Sequence, residues 1–197
     1  LFVVFLLTLF VFGDKFCAEN MAWPGLREYQ KLRICTLLDP MRDPLGAGFH
    51  TLQSITAVGS GGIFGKGWLQ GTQTQLAFIP ERSTDFVFSG YAEEFGFFGS
   101  LLLILLYAGI TLRGLWISIG APTDFARLLG GTLSMMTFTY ACVNIGMVTG
   151  VLPVVGVPLP WVSYGGTALI TLGIGVGLLM SIGKDRSETT QGFSLQK

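Results

Sequence analysis

The stretch FVFSGYAEEFGFFGSLLLILLYAGITL, residues 86–112, decides the fold of this chain. From residue 95 onward it contains no charged side chain, and as an α-helix that part alone would extend about 27 Å at about 1.5 Å per residue. The apolar core of a bilayer is about 30 Å thick and needs about 20 apolar helical residues to cross it. Residues 86–112 therefore predict a membrane-spanning helix.

Residues 128–152 and 163–183 are also long and apolar, and they predict two more spans. Residues 1–12, LFVVFLLTLFVF, lack the basic and small-residue flanks of a secretory signal. We expect them to be the end of a fourth span whose beginning is missing, which would make the chain a fragment. Glycine is frequent within the spans, which suits close packing of helices in lipid. The predicted fold class is all-α, a polytopic helical bundle in a membrane.

The composition agrees with this prediction. Half of the residues are apolar and only 12% are charged, about half the charged share of a typical soluble domain. The formal net charge is zero, so nothing indicates nucleic-acid binding. The three cysteines, Cys17, Cys35 and Cys142, lack the CxxC spacing of a metal or redox motif. We interpret them as ordinary packing residues that form neither a disulfide framework nor a metal site.

Basic residues near the ends of the spans predict the orientation of the chain, because they concentrate on the cytoplasmic side of a membrane. The tail 184–197 contains three of them and the Pro-rich loop 152–161 contains none, so the tail is predicted to be cytoplasmic and the loop to lie outside. Residues 13–45 and 113–127 are predicted to be inside, and residues 68–85 outside. The basic residues in question are Lys15, Arg27, Lys31, Arg33, Arg42, Arg113, Arg127, Lys184, Arg186 and Lys197.

These orientations require one more crossing, over residues 46–67. This stretch, GAGFHTLQSITAVGSGGIFGKG, is polar and rich in glycine. Such backbone survives at membrane depth only where protein or a water-filled cavity surrounds it. We therefore predict a buried, irregular crossing that lines a cavity. The alternative is a re-entrant or peripheral loop, with residues 13–85 all on one side of the membrane.

The predicted outer loop ends in PERSTDF and offers candidate catalytic groups. Pro80 suits the first position of a helix, which would place Glu81 and Asp85 on one helical face. Acidic side chains in a first turn can simply complement the helix dipole. A carboxylate beside Arg82 and Lys66 at a polar cavity can instead act as a general base or hold a divalent ion. The spacing alone leaves both interpretations open.

Other polar residues carry weaker signals. Glu93 and Glu94 lie in the first span, where ionisable groups are costly and suggest function, although residues 95–112 could span alone and leave both at the interface. The single histidine, His50, cannot build a metal cluster. GSGGIFGKG, residues 59–67, lacks the strand and the hydroxyl residue of a nucleotide-binding P-loop. Its glycines are predicted to allow close approach of the backbone to a ligand headgroup.

Two polar positions interrupt the later spans. Asn144 lies within the second span, and Ser163 and Tyr164 begin the third. Interhelical hydrogen bonding and packing are sufficient to explain them.

Five blocks of sequence together resemble the SEDS family, the shape, elongation, division and sporulation proteins of bacteria. The TDF block and the Pro-rich block ending in SYGG are specific, and the matching blocks fall in order between about residues 29 and 183. GWLQGTQTQL and LPVVGVPLP are similar to the RodA branch, whereas the division branch, FtsW, typically has a lysine where this chain has Val154 and Val155. The blocks are DPLGAG (43–48), GKGWLQGTQTQLAFIPE (65–81), TDFVF (84–88), AEEFG (92–96) and VNIGMVTGVLPVVGVPLPWVSYGG (143–166).

By analogy of fold, the resemblance implies a multi-pass protein of about ten transmembrane helices, of which this chain would hold about the last five. It implies a rod-shape peptidoglycan glycosyltransferase, a hexosyltransferase of the bacterial inner membrane. Such enzymes polymerise lipid II, an undecaprenyl-linked disaccharide-peptide, into glycan strands during elongation. The implied partners are lipid II, membrane lipids and a class B penicillin-binding protein that crosslinks the strands.

The resemblance also implies roles for residues. The carboxylate of the TDF block is the proposed catalytic group of the family and is Asp85 here. It would accept the proton of a sugar hydroxyl as that oxygen attacks the anomeric carbon of the donor, and direct displacement would invert that centre. The lipid pyrophosphate that leaves would need cations, supplied by Lys66, Arg82 or a divalent metal such as Mg²⁺ or Mn²⁺. The expected substrate-binding positions are Lys66, Thr72, Gln73, Thr74, Gln75, Glu81, Arg82, Ser163 and Tyr164.

One departure and two alternatives accompany this interpretation. Family members commonly have a histidine directly before Thr-Asp, whereas this chain has Ser83, so no imidazole acts there. Polar crossings and intramembrane glutamates are also typical of a transport pathway, which would make the protein a flippase for the lipid-linked precursor. A third hypothesis is a scaffold that positions the penicillin-binding protein. Only the polymerase requires a carboxylate at the outer mouth.

Overall fold

The structure, a computed structural model, describes residue 17 and residues 28–39, 47–72 and 84–194. Within these ranges the secondary structure consists of α-helices and turns, without a strand. The all-α prediction is therefore confirmed. The helices are α1 (Glu28–Leu38), α2 (Ala47–Ser60), α3 (Val87–Ile119), α4 (Asp124–Val148) and α5 (Gly166–Ser194).

Three of these helices are long and apolar enough to cross a membrane. They are α3 with 33 residues, α4 with 25 residues, and the part of α5 from Gly166 to Lys184 with 19 residues; an 18-residue stretch within each has a mean hydropathy of 2.1, 1.2 and 1.8, respectively. Each coincides with one of the predicted spans. The start of α4 is fixed by Thr123, whose hydroxyl oxygen accepts a hydrogen bond from the backbone N–H of Ala126 at 3.2 Å, as an N-cap does.

Small side chains hold α3 and α4 together. Gly114 of α3 lies directly against the Ser134 hydroxyl of α4, and Gly130 of α4 lies against Ser118 of α3. The Ser118 hydroxyl also donates a hydrogen bond to the carbonyl oxygen of Arg127. Close approach of backbones at small residues is a common way to associate helices in lipid, where burying apolar side chains gains little.

Helix α2 differs from the predicted irregular crossing. Residues 47–60 form a regular helix, and the irregular backbone begins only at residue 61. The glycines that suggested irregularity flank the helix or lie at its two ends, and residues 49–58 contain none. The Ser54 hydroxyl, which is buried, donates to the carbonyl oxygen of Val148 at 2.7 Å, so a polar side chain of α2 is satisfied by the end of α4.

The length of α2 bears on the predicted crossing. Fourteen residues extend about 21 Å as an α-helix, which is shorter than the roughly 30 Å apolar core of a bilayer. The helix alone therefore does not span. The crossing over residues 46–67 stays a prediction, and the short helix favours the re-entrant alternative.

The irregular segment after α2, residues 61–67, docks onto a kink in α3. The kink lies at Gly96, whose backbone angles are φ 65° and ψ −159°. Two N–H groups of the segment, those of Lys66 and Gly67, donate to the carbonyl oxygens of Glu93 and Glu94, both at 3.0 Å. The carbonyl oxygens of residues 62 and 63 accept from the N–H groups of residues 97 and 98 at 2.9 and 3.3 Å. The backbone groups that the kink releases from α3 thus find partners in the segment.

This docking requires glycine on both sides. A Cβ at Gly96 would overlap the backbone nitrogen of Gly65, and a Cβ at Gly65 would overlap the carbonyl of Glu94. The angles of Gly96 also fall in a region that essentially only glycine adopts. The glycines of residues 59–67 are predicted to let the backbone approach a ligand headgroup. One of them, Gly65, instead contacts α3 of the same chain.

The prediction for the cysteines is wrong for two of the three. Cys17 and Cys35 form a disulfide with a Cα–Cα distance of 5.7 Å, whereas Cys142 is free and exposed. Their separation of 18 residues matches no local motif, so only tertiary structure brings them together. Disulfides persist in oxidising compartments, which argues against a cytoplasmic location for Cys17 and Cys35.

A second contact agrees with an outer location. The Arg33 guanidinium of α1 donates to the carbonyl oxygen of Val154 at 2.8 Å, which places α1 beside the Pro-rich loop that is predicted to lie outside. Both observations favour the alternative in which residues 13–85 lie on one side. The orientation of the chain itself stays a prediction.

Replacing Gly96 by Ala should destabilise the protein by about 1–3 kcal/mol or more, because a side chain is strained at this backbone conformation and overlaps Gly65. Thermal unfolding of the purified protein in detergent measures the effect. Gly109→Ala in the same helix is the control, since a Cβ there meets nothing within 4 Å. Equal unfolding midpoints for the two variants would contradict the role of the kink.

The Cys17–Cys35 disulfide predicts a pattern of thiol labelling. The full-length protein is prepared with Cys17 and Cys35 as its only cysteines, Cys142 being replaced by Ser. In spheroplasts, a membrane-impermeant maleimide should not label this variant until an impermeant reductant is added, because the disulfide persists only on the oxidising side. Gel mobility after labelling provides the measurement. Labelling without the reductant would show that the bond is absent, and none after it would place the pair inside.

Candidate functional site

The segment Thr84–Asp85–Phe86 forms a turn directly before α3. Asp85 therefore does not lie on the face of a helix that begins near Pro80, as the spacing suggested. The carbonyl oxygens of Thr84 and Asp85, which a helix would use internally, accept hydrogen bonds from side chains of other elements. Asp85 is half-buried, and Phe86 is buried in the apolar core between α2, α3 and α4.

Asn144 of α4 is the first of these side chains. Its amide nitrogen donates to the carbonyl oxygen of Asp85 at 2.8 Å and to that of Val157 at 2.6 Å. Asn144 is completely buried. It thereby links α4, the turn before α3 and the Pro-rich loop.

Ser163 is the second. Its hydroxyl donates to the carbonyl oxygen of Thr84 and accepts from the N–H of Leu159 at 2.7 Å. Ser163 is 4% exposed, whereas Tyr164, beside it, is 83% exposed. Of these two predicted substrate-binding residues, the first has its hydroxyl engaged by the protein backbone and the second presents its ring at the surface of the described chain.

The Pro-rich loop, which in the structure continues to residue 165 before the next helix, packs against the Asp85 carboxylate. Gly156 has φ 78°, and a Cβ at this position would lie 3.2 Å from the Asp85 Oδ2 atom. Tyr107 of α3 also holds this loop, because its hydroxyl donates to the carbonyl oxygen of Pro160 at 2.5 Å. The carboxylate thus stands beside a backbone position that a side chain would crowd.

Lys66 lies in a second polar cluster, on the docked segment. Its ammonium group is 2.7 Å from the Oε1 atom of Glu93 and 2.8 Å from the hydroxyl of Thr72, and that hydroxyl is 3.1 Å from the same carboxylate oxygen. Ser60 adds a longer hydrogen bond to Glu93 at 3.5 Å. The Glu93 side chain is fully buried and that of Lys66 is 29% exposed. Burying a carboxylate without a partner is very costly, so the lysine stabilises Glu93 in its charged form.

The structure thus places the predicted residues in two groups. Asp85 and Ser163 belong to the first, and Lys66 and Thr72 to the second. Tyr164 belongs to neither group and presents its ring at the surface of the described chain. The other predicted positions lie outside the described residues, and they are Gln73, Thr74, Gln75, Glu81 and Arg82.

The sequence reasoning missed two contributions. The sequence indicates interhelical hydrogen bonding and packing for Asn144, whereas its partners in the structure are the backbones of the turn before α3 and of the Pro-rich loop. Glu93 was left without a role, and its partner Lys66 lies 27 residues earlier in the chain. The available signal for Asn144 was that a lone amide in an apolar span must find hydrogen-bond partners.

Comparisons with known proteins identify relatives. Residues 2–188 match the profile of the FtsW, RodA and SpoVE family, described as cell cycle proteins. The chain is 58% identical over 157 residues to the peptidoglycan glycosyltransferase MrdB of Escherichia coli K12, which covers 80% of this chain and 42% of that protein. It is 44% identical over 158 residues to the peptidoglycan glycosyltransferase RodA of Treponema pallidum, covering 80% and 36%. The chain thus spans less than half the length of these curated relatives.

Solved structures give the same picture. A chain of a peptidoglycan synthase complex that coordinates polymerization and crosslinking matches with a TM-score of 0.67 and 34% identity, covering 93% of this chain and 48% of that one. A mutant of the rod shape determining protein RodA of Thermus thermophilus matches with a TM-score of 0.51 and 26% identity, covering 89% and 62%. The chain belongs to the FtsW, RodA and SpoVE family of cell cycle proteins, and its similarities support the RodA branch.

Proposed function

We propose that the whole protein is a peptidoglycan glycosyltransferase of the inner membrane, which polymerises lipid II into glycan strands during cell elongation. The observation that carries the proposal is the half-buried carboxylate of Asp85, held by its backbone at the start of a membrane-length helix. The 58% identity to a protein named as such an enzyme supports it.

Asp85 is the proposed general base. It accepts the proton of the attacking sugar hydroxyl, which is otherwise a weak nucleophile. The oxygen forms a bond to the anomeric carbon of the donor while the bond from that carbon to the lipid pyrophosphate breaks. A single displacement inverts the centre, so an α-linked donor becomes a β-linked polymer.

Lys66 is the proposed cation for the departing pyrophosphate. An ammonium group has three N–H donors, and among the described residues Lys66 uses two, toward Glu93 and Thr72. The remaining exposure of its side chain leaves room for a phosphate oxygen. A second cation, Arg82, is proposed from the sequence.

A divalent ion such as Mg²⁺ or Mn²⁺ is the other proposed source of positive charge. Magnesium is usually held by one or two carboxylates together with substrate phosphates. Within the described ranges, no group of three or more His, Cys, Asp or Glu residues lies close enough to hold a metal. Since one or two carboxylates with substrate phosphates are enough, the divalent ion stays a proposal, and no step is assigned to it.

The proposed protein partner is a class B penicillin-binding protein that crosslinks the new strands. The similarity to a chain of a peptidoglycan synthase complex supports this assignment. A flippase is the second candidate function, because the ion pair of Lys66 with the fully buried Glu93 is also what a transport pathway through a membrane would contain.

Asp85→Asn in the full-length protein, purified with its partner, should lower the rate of glycan polymerisation by about 10²–10⁴-fold, the usual contribution of a general base. Gel analysis of labelled lipid II products measures the rate. Asp124→Asn is the matched control, since the Asp124 side chain is 91% exposed and pairs, among the described residues, with Arg127 in its own helix.

Three outcomes separate the candidate functions. Product from the wild type and the control but not from Asp85→Asn supports the polymerase. Full activity of Asp85→Asn rejects the assignment of the base. No product from the wild type, together with movement of the precursor across liposomes, rejects the polymerase in favour of the flippase.

Gly156→Ala should lower kcat about tenfold or more, because small misplacements at a reacting group are costly and the new Cβ would stand 3.2 Å from the Asp85 carboxylate. Gly62→Ala is the control: its φ of 59° imposes a comparable backbone penalty, but a Cβ there meets nothing within 4 Å. Steady-state kinetics and thermal unfolding are measured on both variants. Equal losses of kcat would show that backbone strain alone is responsible.

A further inference from the structure

We infer that Asn144 and Ser163 are positioning residues, which fix the Asp85 carboxylate by holding the backbone of the turn that carries it. The inference rests on the proposed function of Asp85. Neither side chain needs to touch the substrate, because both act through carbonyl oxygens of the chain: those of Asp85 and Val157 for Asn144, and that of Thr84 for Ser163.

The orientation of the Asn144 amide follows from its partners. Both are carbonyl oxygens, which can only accept hydrogen bonds, so the NH₂ group must face them. A single buried donor group therefore joins the catalytic turn to the Pro-rich loop, and its two distances of 2.8 and 2.6 Å are those of good hydrogen bonds.

The Asn144 side chain also carries a free-energy cost, which a purely stabilising role would not explain. The Oδ1 atom of Asn144 is buried and has no hydrogen-bond partner among the described residues. Leaving a buried polar atom unsatisfied lowers the free energy of unfolding. Asn144 thus holds Asp85 in place at some cost in folding stability, as residues that serve function often do.

Ser163 holds the neighbouring peptide from the opposite direction. Its hydroxyl belongs to the Pro-rich loop and donates to Thr84, while it accepts from Leu159 within that loop. Consecutive carbonyl groups are thereby held by α4 and by the loop. The peptides at residues 84 and 85 are thereby both fixed, and a Cβ at Gly156 would lie 3.2 Å from the Asp85 carboxylate.

The test compares variants of the full-length protein with its partner, using lipid II as substrate. Asn144→Leu keeps the approximate volume and removes the donor. It should lower kcat about 10- to 100-fold, the range that a misplacement of about 1 Å produces, while KM changes by less than about threefold. Ser163→Ala should also lower kcat, and Ser163→Thr, which retains a hydroxyl, should restore most of it.

Ser134→Ala is the matched control. Ser134 is a buried polar residue of the same helix as Asn144, but its hydroxyl donates to Gly130 in that helix. We expect a shift of the unfolding midpoint with kcat unchanged. In an Asp85→Asn background, Asn144→Leu should cause no further loss, because residues that act as a unit are not additive.

A purely structural role would give different results. In that case the loss of kcat would follow the loss of thermal stability in all variants, Ser134→Ala included, and Ser163→Thr would not recover activity. Either result would overturn the inference, as would wild-type kcat in Asn144→Leu.

A readout without catalysis separates this inference from the proposed function. Asp85→Cys introduces a single thiol into a protein without other cysteines. Adding Asn144→Leu should change the rate at which this thiol reacts with a small maleimide by at least about tenfold, since accessibility controls thiol reactivity. If the wild type makes no glycan but this change occurs, the proposed function fails and the positioning of residue 85 stands. An unchanged rate overturns the positioning.

Discussion

Every backbone N–H and C=O at membrane depth must find its partner within the protein, and this constraint governs the arrangement around Gly96. The kink in α3 releases carbonyl and amide groups that a straight helix would satisfy internally. Residues 62–67 supply the missing donors and acceptors through four backbone hydrogen bonds. A polar, Gly-rich segment that is unsuited to lipid is thereby compatible with a membrane helix, because each one satisfies the backbone of the other.

The candidate site likewise depends on buried polar groups that are hydrogen-bonded or paired within the protein. Asn144 and Ser163 use their hydrogen bonds on carbonyl groups at residues 84, 85 and 157, so the turn before α3 is held without regular secondary structure. Glu93 is compatible with a fully buried position because Lys66 on the docked segment lies 2.7 Å away. The docked segment and the turn before α3 are thus both fixed by contacts between distant parts of the chain.

The sequence predicted those features that follow from local composition. The spans, the all-α class and the family could be predicted because apolar runs and motifs such as TDF are continuous in the chain. Helix α2 was mistaken for irregular backbone because its flanking glycines outweighed the regular stretch between them. The Cys17–Cys35 bond and the contacts of Asn144 could not be predicted, because each depends on tertiary structure: Asn144 lies 59 residues from Asp85.

The exchange of hydrogen bonds between residues 62–67 and 93–98 also sets an order of assembly. The ribosome synthesises the docked segment before the helix that receives it, and domains generally form from the N-terminal side during synthesis. Until α3 is inserted, the backbone groups of the segment can be satisfied only by water. The segment therefore cannot dock before α3 is in place, and its backbone groups stay hydrated until that point of biogenesis.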